Sequence, residues 1–182
     1  GNYSTQWVSI QVTDVDEVAP KITGPSGGEG SSTSSKDINE NTTTVDTFSA
    51  DEPVTWSLNG GADASKFSID SSSGALSFKS APDYENPSDT GTNNSYEVKV
   101  RATDGIGNTA DQTLTVHIQN VDDTAPNISG PTGSAGDSSS EQTMNENISP
   151  VHIFKANETV TWSLNGGADA SKFNINSSTG AL

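Results

Sequence analysis

The feature that most constrains this chain is a long internal repeat. Residues 54–67 and 160–173 have the same fourteen-letter sequence, VTWSLNGGADASKF, at an offset of 106 residues. The same offset aligns Pro20 with Pro126. Self-similarity at a fixed period of this kind is typical of tandem arrays in which each repeat is one structural unit.

The repeat predicts how the chain is organised. Both ends are expected to fall inside a repeat, so we interpret the sequence as a window onto a longer array. The predicted segments are residues 1–19, the C-terminal end of a preceding repeat; residues 20–125, one complete repeat; and residues 126–182, the N-terminal, truncated part of a following repeat.

Composition excludes several classes of protein. Eight Lys and Arg residues against 24 Asp and Glu give a formal net charge of −16, which disfavours binding to nucleic acid or to anionic membrane surfaces. The chain has no cysteine, so disulfide scaffolds and thiolate chemistry are excluded. No run of apolar residues is long enough to span a membrane. Only 29% of residues are hydrophobic, a composition close to that of disordered chains, but the ordered repeat indicates a folded protein.

Apolar residues alternate with polar ones in several short stretches. Trp56 lies in one such stretch, and residues 96–102 and 114–118 form others. Gly, Ser, Asn, Asp and Pro separate these stretches, and no segment has the 3.6-residue period of a helix. The pattern predicts an all-β protein of antiparallel Greek-key β-sandwich repeats of about 106 residues. Trp56 and its counterpart Trp162 are expected in the core, and Trp7 is expected to face outward.

A polar run between Ile22 and Ile38 has no apolar position. Residues 24–37 read GPSGGEGSSTSSKD. Gly- and Ser-rich segments behave as flexible linkers, so this run is predicted to be a flexible surface loop that interrupts the first strand.

Acidic residues recur at fixed places in the repeat. Residues 14–20 read DVDEVAP, and residues 120–126, at the next boundary, read NVDDTAP. Residues 39–41 read NEN, residues 83–85 read DYE and residues 102–104 read ATD. The order of these motifs resembles that of cadherin repeats, particularly the cadherin-like arrays of large bacterial surface proteins. The resemblance implies that the predicted sandwich is of the cadherin- or immunoglobulin-like type.

The resemblance implies Ca²⁺ ions at the junctions between repeats, with ligands from both repeats and the linker. For the lower junction it implies the ligands Glu40, Asp83, Glu85, Asn120, Asp122, Asp123 and Asn157. For the upper junction it implies Asp14, Asp16, Glu17, Asp51 and Asp104. The motifs depart from the family pattern at Asn120, Val18, Thr124 and Glu17, and the element at Asp51 is shortened. These departures leave open the number of ions at each junction.

Elementary chemistry agrees with a calcium site. Ca²⁺ takes six to eight oxygen ligands, and carboxylate, amide and backbone carbonyl groups supply them. Several carboxylates brought together without a cation would repel one another. Carboxylates that no motif pairs with other ligands are interpreted as solvated: Asp63, Asp70, Asp89 and Glu97.

No catalytic pattern is present, so we do not expect an enzyme. His117 and His152 align with Gln11 and Asp46 in the neighbouring repeats, and neither belongs to a repeated motif. The sequence has no P-loop, dinucleotide fingerprint or serine nucleophile motif.

The sequence therefore predicts an extracellular or cell-surface Ca²⁺-binding repeat. The leading hypothesis is a calcium-stiffened spacer in a long adhesin or fibre, which contacts the adjacent repeats of its own chain. A second hypothesis is an adhesion module that binds like chains or a surface receptor. A third is a subunit of a self-assembling extracellular filament. A spacer should stay monomeric in calcium, whereas the other two should associate.

Overall fold

The computed structural model describes all 182 residues, which form two compact units, residues 1–121 and 122–182. The first unit has nine strands: β1 Ile22–Thr23, β2 Thr33–Asn39, β3 Thr44–Thr47, β4 Ser49–Ala50, β5 Thr55–Leu58, β6 Phe67–Ile69, β7 Ala75–Phe78, β8 Ser95–Thr103 and β9 Thr109–Gln119. The second unit has two: β10 Ile128–Ser129 and β11 Lys155–Ala156. Each unit also contains one 3-10 turn, Ala64–Lys66 and Ala170–Lys172. None of the helical segments could cross a lipid bilayer.

Two sheets build the first unit. One has four strands in the order β2-β9-β8-β5, and the other has three in the order β3-β7-β6. The short strands β1 and β4 pair with each other. The connections leave sequence neighbours β2 and β3 in different sheets, as a sandwich with crossovers requires.

The core lies between the two sheets. On β8 the side chains of Tyr96, Val98 and Val100 are almost completely buried, while the intervening positions are more exposed. They pack in one cluster with residues of the other sheet, and Phe78 of β7 contacts Tyr96 edge to face at a centroid distance of 5.1 Å. Alternation along the strands thus places one apolar face on each sheet, and the predicted all-β sandwich is confirmed. Trp56 is buried in this core, as expected.

One strand pair is parallel, although the sequence predicted an antiparallel sandwich. β2 runs parallel to β9, with Ser34 opposite Leu114, whereas the other strand pairs are antiparallel. After β1 has paired with β4, the chain crosses to the edge of the four-stranded sheet, and this crossing sets the direction of β2.

The prediction of a flexible loop over residues 24–37 is wrong for its second half. Residues 33–37 belong to β2, and the fully buried Gln112 holds the segment from inside. The side chain of Gln112 donates to the carbonyl of Ser31 at 2.7 Å and accepts from the hydroxyl of Ser34 at 3.0 Å. The inward contact of β2 is thus a hydrogen bond between polar side chains. Because no apolar residues alternate with polar ones at this point, the sequence pattern did not predict a strand.

The second unit repeats local contacts of the first. The amide of Trp162 donates to Ser177 at 2.9 Å, as the amide of Trp56 donates to Ser71. Its only strand pair is β10 with β11, and an isolated bridge joins Ile153 to Ala181. No residues of this unit align with β8 and β9, so the segments equivalent to β2 and β5 have no partner strands. Trp162 is accordingly only partly buried.

Residues 1–19 form no strand, and nearly all of their side chains are exposed. Trp7 is 96% exposed, but its neighbours Val8 and Ile10 are also exposed, at 75% and 82%, so the outward position of Trp7 stays a prediction. The boundary between the units, after Val121, lies close to the predicted repeat boundary after Ala125. The division of the chain into repeats stays a prediction.

Candidate metal centres

Strand direction brings one group of acidic residues to one end of the first unit. Because β2 and β9 are parallel, both strands end at the same edge, where the amide of Glu40 donates to the carbonyl of Gln119 at 3.0 Å. The connection between β7 and β8 carries Asp83 and Glu85 to this edge. One carboxylate oxygen from each of Glu40, Asp83 and Glu85 lies within 4.8 Å of the others.

Glu40 is the buried member of this first cluster, with 2% of its surface exposed. Its Oε2 accepts the amide of Tyr84 at 2.7 Å, and its Oε1 accepts the amide of Val121 at 2.8 Å. These two hydrogen bonds hold the pKa of the Glu40 carboxyl below its usual value. The side chain is therefore kept ionised while it ties the 83–85 segment to the end of β9.

Glu85 and Asp83 are exposed members of the cluster. The side-chain amide of Asn120 donates to Glu85 Oε1 at 2.7 Å, and Asp83 Oδ1 accepts the amide of Asn86 at 2.9 Å. A carboxylate oxygen has two lone pairs, so these contacts leave acceptor capacity on both residues. Of the predicted lower-junction ligands, four thus meet at this end of the unit: Glu40, Asp83, Glu85 and Asn120.

A second cluster lies at the opposite end of the same sheet. β8 is nine residues long and ends just before Asp104, so it separates the two ends by about 30 Å. Carboxylate oxygens of Asp16, Glu52 and Asp104 lie within 4.8 Å of one another. Asp16 comes from the linker-like segment 14–20, Glu52 from the turn before β5 and Asp104 from the turn between β8 and β9.

The loop that follows Asp104 is folded around its carboxylate. Oδ1 accepts the amides of Ile106, Gly107 and Asn108 at 3.0, 2.6 and 2.8 Å, and Oδ2 accepts the Asn108 side chain at 2.8 Å. Burial acts to raise the pKa of Asp104, but the hydrogen bonds, first that from the Asn108 side chain, outweigh it and lower the pKa. Asp104 is thus held as an anion in a fixed orientation.

Asn108 connects this loop to the linker segment. Its side-chain amide also donates to the backbone carbonyls of Asp16 and Val18, at 3.1 and 3.2 Å. Asn108 was not among the predicted site residues. Its role depends on contacts 92 and 90 residues away along the chain, which no local sequence pattern indicates.

Glu52 takes the place in this cluster that was predicted for Asp51. The carboxylate of Asp51 instead accepts the amide of Lys21 at 2.7 Å, and it lies 3.8 Å from the Lys21 ammonium group. Burial and the charges of Asp16 and Asp104 raise the pKa of Glu52. The contribution of Asp16 and Asp104, which follows that of burial, reflects like charges held close to Glu52.

The second unit repeats this arrangement at equivalent positions. Asn157 Oδ1 accepts the amide of Asn127 at 2.7 Å, as Asp51 accepts that of Lys21. Glu158, the counterpart of Glu52, faces Asp122, the counterpart of Asp16. Burial and Asp122 raise the pKa of Glu158, while hydrogen bonds from Thr124 lower that of Asp122. Internal alignment offered a signal for Glu52, because Glu52 and Glu158 are the same residue whereas position 51 becomes Asn at 157.

Other predicted ligands lie outside the two clusters. Asp14 and Glu17 are exposed and belong to neither one. Asp122, Asp123 and Asn157 belong to the second unit, so their sharing of a junction with Glu40 stays a prediction.

The donor sets of both clusters fit calcium. Each has three hard oxygen donors, and Ca²⁺ binds oxygen at roughly 2.3–2.6 Å, so two ligands of one ion are at most about 5 Å apart. The spread of 4.8 Å or less in both clusters satisfies that limit. Neither cluster offers histidine or cysteine, the donors that softer metals prefer.

Two carboxylates interpreted as solvated are in fact buried. Asp63 is 1% exposed and Asp89 is 5% exposed. Asp63 accepts the amides of Thr90 and Glu97 at 2.7 and 3.0 Å, and Asp89 accepts two amides of its own turn at 3.0 Å each. Asp63 therefore joins the 79–94 segment to β8, and Asp89 stabilises its own turn, so the interpretation was wrong for these two residues.

Comparison with known proteins shows similarity to solved structures alone. No family model matches the chain, and no curated protein matches it. Among solved structures, mouse cadherin-23 EC22-24 is 21% identical with a TM-score of 0.48, covering 90% of this chain and 53% of that chain. The protocadherin gamma B4 extracellular domain is 21% identical with a TM-score of 0.49, covering 64% and 18%. The chain thus spans about half or less of the length of both. The third cadherin domain of human protocadherin 7 is 21% identical with a TM-score of 0.45, covering 64% of this chain and 98% of that one.

Proposed function

We propose that this chain is a non-catalytic, Ca²⁺-binding repeat segment that acts as a calcium-stiffened spacer in a long extracellular adhesin or fibre. The repeat in the sequence supports an array, and the acidic clusters at both ends of the first unit support metal binding. Length in such an array comes from adding units, and its stiffness comes from the segments that join them.

The observation that carries the proposal is the position of Asp16. This residue lies in the segment that joins the predicted repeats, yet its carboxylate meets Glu52 and Asp104 of the folded body. Asn108 is the residue whose side chain joins the Asp104 loop to the linker backbone by hydrogen bonds. Burial and then the negative charges of Asp16 and Asp104 raise the pKa of Glu52, so like charges lie close together in this cluster.

A bound Ca²⁺ would supply the positive charge that these carboxylates lack. Asp16, Glu52 and Asp104 would hold it at one end of the unit, and Glu40, Asp83 and Glu85 at the other. Holding Asp16 against the body fixes the direction in which the linker leaves the unit. Mechanical stiffness then depends on calcium, while the core of the sandwich does not.

Thermal unfolding with calcium and with a chelator tests the proposal. We expect calcium to raise the melting temperature of the unaltered chain, by an amount equivalent to about 2.7 kcal/mol per independent site at 100 times the dissociation constant. The variant Glu52→Gln should lose the part of this response that comes from its cluster, and the triple variant Glu40→Gln, Asp83→Asn, Glu85→Gln should lose the other part.

The chain supplies matched controls for these variants. Asp51→Asn and Asp70→Asn introduce the residues found at the equivalent positions 157 and 176, and they remove a negative charge outside the clusters. Both should keep the full calcium response. An equal loss in control and cluster variants would reduce the effect to general charge screening, and an unaltered chain that ignores calcium would refute the proposal.

Sedimentation in calcium separates the spacer from an adhesive or filament-forming module. We expect one monomeric species over a wide range of concentration, whose frictional ratio rises when calcium is added because the linker is fixed. Self-association in calcium would instead favour contacts between like chains.

A further inference from the structure

A small cleft opens beside the hairpin that β6 and β7 form. Its volume is about 240 Å³, and its walls come from the 3-10 turn before β6, the end of β7 and the segment that leads to β8. Two lysines and three serines are among the residues that line it, and none of the lining residues is acidic. The chain has 24 acidic residues and eight basic ones, so two cations in a cleft without an acid depart from the charge of the whole protein.

The two lysines of the cleft, Lys66 and Lys79, lie opposite each other. β6 and β7 pair with Phe67 opposite Phe78, and the amide of Lys79 donates to the carbonyl of Lys66 at 2.8 Å, so the register continues to the lysines. Like charges directly opposite each other in an antiparallel pair are destabilising. Neither lysine forms an ion pair with a carboxylate, whereas half of the eight cationic residues do: Lys21, Lys36, Arg101 and Lys172.

Hydroxyl groups supply further polar atoms around the lysine pair. The Lys79 ammonium group donates to the carbonyl of Ser65 at 2.8 Å, and an ammonium group has two more N–H donors to offer. The three serines that line the cleft, Ser65, Ser80 and Ser88, are exposed. Cationic donors and neutral hydroxyls thus face the same small volume.

Tyr96 is the buried residue at the hydroxyl side of the cleft, with 1% of its surface exposed. Its phenol oxygen accepts the amide of Ser88 at 3.2 Å, and the Ser88 hydroxyl lies 3.3 Å away. An O–H···O hydrogen bond is usually roughly 2.5–3.0 Å long, so the phenol hydrogen has only a distant acceptor in the protein. Since buried polar groups are normally well satisfied, this favours a ligand oxygen that accepts from Tyr96.

We propose that this cleft binds a small hydroxycarboxylate, with its carboxylate against Lys66 and Lys79 and its hydroxyl groups against the serines and Tyr96. Hydrogen bonds between ammonium and carboxylate groups are stronger than those between neutral groups, so the lysines supply most of the affinity. The ligand also removes the repulsion between the two lysines. Because the chain as a whole repels anions, the position of this cationic pair decides where an anion binds.

Heteronuclear NMR of the 182-residue chain tests the proposal in calcium-free buffer, so the outcome does not depend on the proposed calcium sites. The probes are glucuronate and glucose, which share a sugar ring but differ in one carboxylate. We expect glucuronate to shift the amide signals of Lys66, Lys79 and Ser88 saturably, with a dissociation constant of about 1 mM, as a ligand of this size gains little free energy per atom. Glucose should bind at least about tenfold more weakly because it carries no charge.

Phosphate separates a hydroxycarboxylate site from a site for any anion. It can pair with the lysines but has no sugar hydroxyl groups for the serines and Tyr96, so it should bind more weakly than glucuronate. Phosphate or glucose that binds as tightly as glucuronate would overturn the proposal, and so would the absence of a saturable shift with glucuronate.

Substitutions assign the binding to the cleft. Lys66→Gln and Lys79→Gln should each raise the dissociation constant for glucuronate about threefold, the scale of an exposed ion pair. Tyr96→Phe keeps the ring in the core but removes the hydroxyl, and it should raise the constant by a similar factor. Lys155→Gln is the matched control, because Lys155 is also an exposed lysine but lies outside the cleft.

The control should keep the affinity of the unaltered chain. Melting temperatures measured without ligand show whether each variant is folded, and both lysine variants change side chains at the surface rather than in the core. Lysine variants that bind glucuronate as tightly as the unaltered chain, or a control that loses as much affinity as they do, would contradict the assignment to this cleft.

Discussion

Asp63 and Thr90 are joined by two hydrogen bonds to a single oxygen: Asp63 Oδ1 accepts the Thr90 amide at 2.7 Å and the Thr90 hydroxyl at 2.9 Å. The other oxygen, Oδ2, accepts the amide of Glu97 at 3.0 Å. This buried carboxylate therefore joins the 79–94 segment to the start of β8. Its counterpart in the second unit, Asp169, is exposed and forms an ion pair with Lys172 at 2.7 Å.

The pair Asp63→Asn and Asp169→Asn should separate these two roles. Asparagine offers one oxygen where aspartate offers two, so Asp63→Asn leaves a buried donor without an acceptor. We expect it to cost about 1–3 kcal/mol of unfolding free energy. Asp169→Asn removes only an exposed ion pair and should cost less than about 1 kcal/mol. Urea denaturation followed by circular dichroism measures both, and equal effects would contradict the structural role given to Asp63.

Trp56 and Trp162 offer a second matched pair. Trp56 is 5% exposed and its ring lies 6.0 Å from that of Phe48, within the core cluster. Its replacement by alanine leaves a large cavity, so we expect a loss of about 3–5 kcal/mol. Trp162 is only partly buried and should lose less when replaced in the same way. The free energy of unfolding from urea titration checks the difference, and a larger loss at Trp162 would refute this account of the core.

Gly61 tests how closely the turn after β5 approaches β8. Its φ angle is +100°, and a Cβ would lie 2.6 Å from the Cα of Val98 and 2.7 Å from the carbonyl of Glu97. Gly167, at the equivalent position, has a φ of +103° but open space around it. Both alanine variants incur the positive-φ cost of about 1 kcal/mol. Only Gly61→Ala also forces backbone apart, so its melting temperature should fall further than that of Gly167→Ala.

The sequence predicted the parts of the fold that apolar alternation controls. Tyr96, Val98 and Val100 alternate with polar residues, and they lie in the core as expected. β2 could not be predicted in the same way, because its buried contact is the hydroxyl of Ser34 against Gln112. A polar residue that faces inward leaves the same local pattern as one that faces water.

Local sequence pattern also limited how far the candidate metal centres could be predicted. The acidic motifs predicted that Glu40, Asp83 and Glu85 would meet, and the structure brings their carboxylates together. Whether Asp51 or Glu52 turns toward Asp16 depends on the turn before β5, since neighbouring residues can point to opposite sides. Composition could not tell the buried Asp63 from a solvated aspartate, because its partners are 27 and 34 residues away.

The stability of the turn that Asp70 closes should depend on pH, and the equivalent turn of the second unit, at Asn176, provides a comparison. Its Oδ1 accepts the amides of Ser73 and Ser72 at 2.8 and 3.0 Å and the Ser73 hydroxyl at 2.9 Å. These bonds, first that from the Ser73 amide, lower the pKa of Asp70 below 3.8. Asn176, the counterpart in the second unit, accepts the amides of Ser178 and Thr179 with a neutral side chain.

The direction of the pH effect follows from this lowered pKa. A carboxyl whose pKa is lower in the folded state stabilises the fold above its unfolded pKa, and it loses that contribution as pH falls through the folded pKa. Asp70→Asn should therefore melt at a lower temperature than the unaltered chain near neutral pH, and the difference should shrink as the solution is acidified below 3.8. The reverse change, Asn176→Asp, should add a stabilisation with the same pH dependence. Melting curves in a chelator, over a pH series, check both variants. A difference between Asp70→Asn and the unaltered chain that stays constant with pH would show that the turn depends on the shape of the side chain and not on its charge.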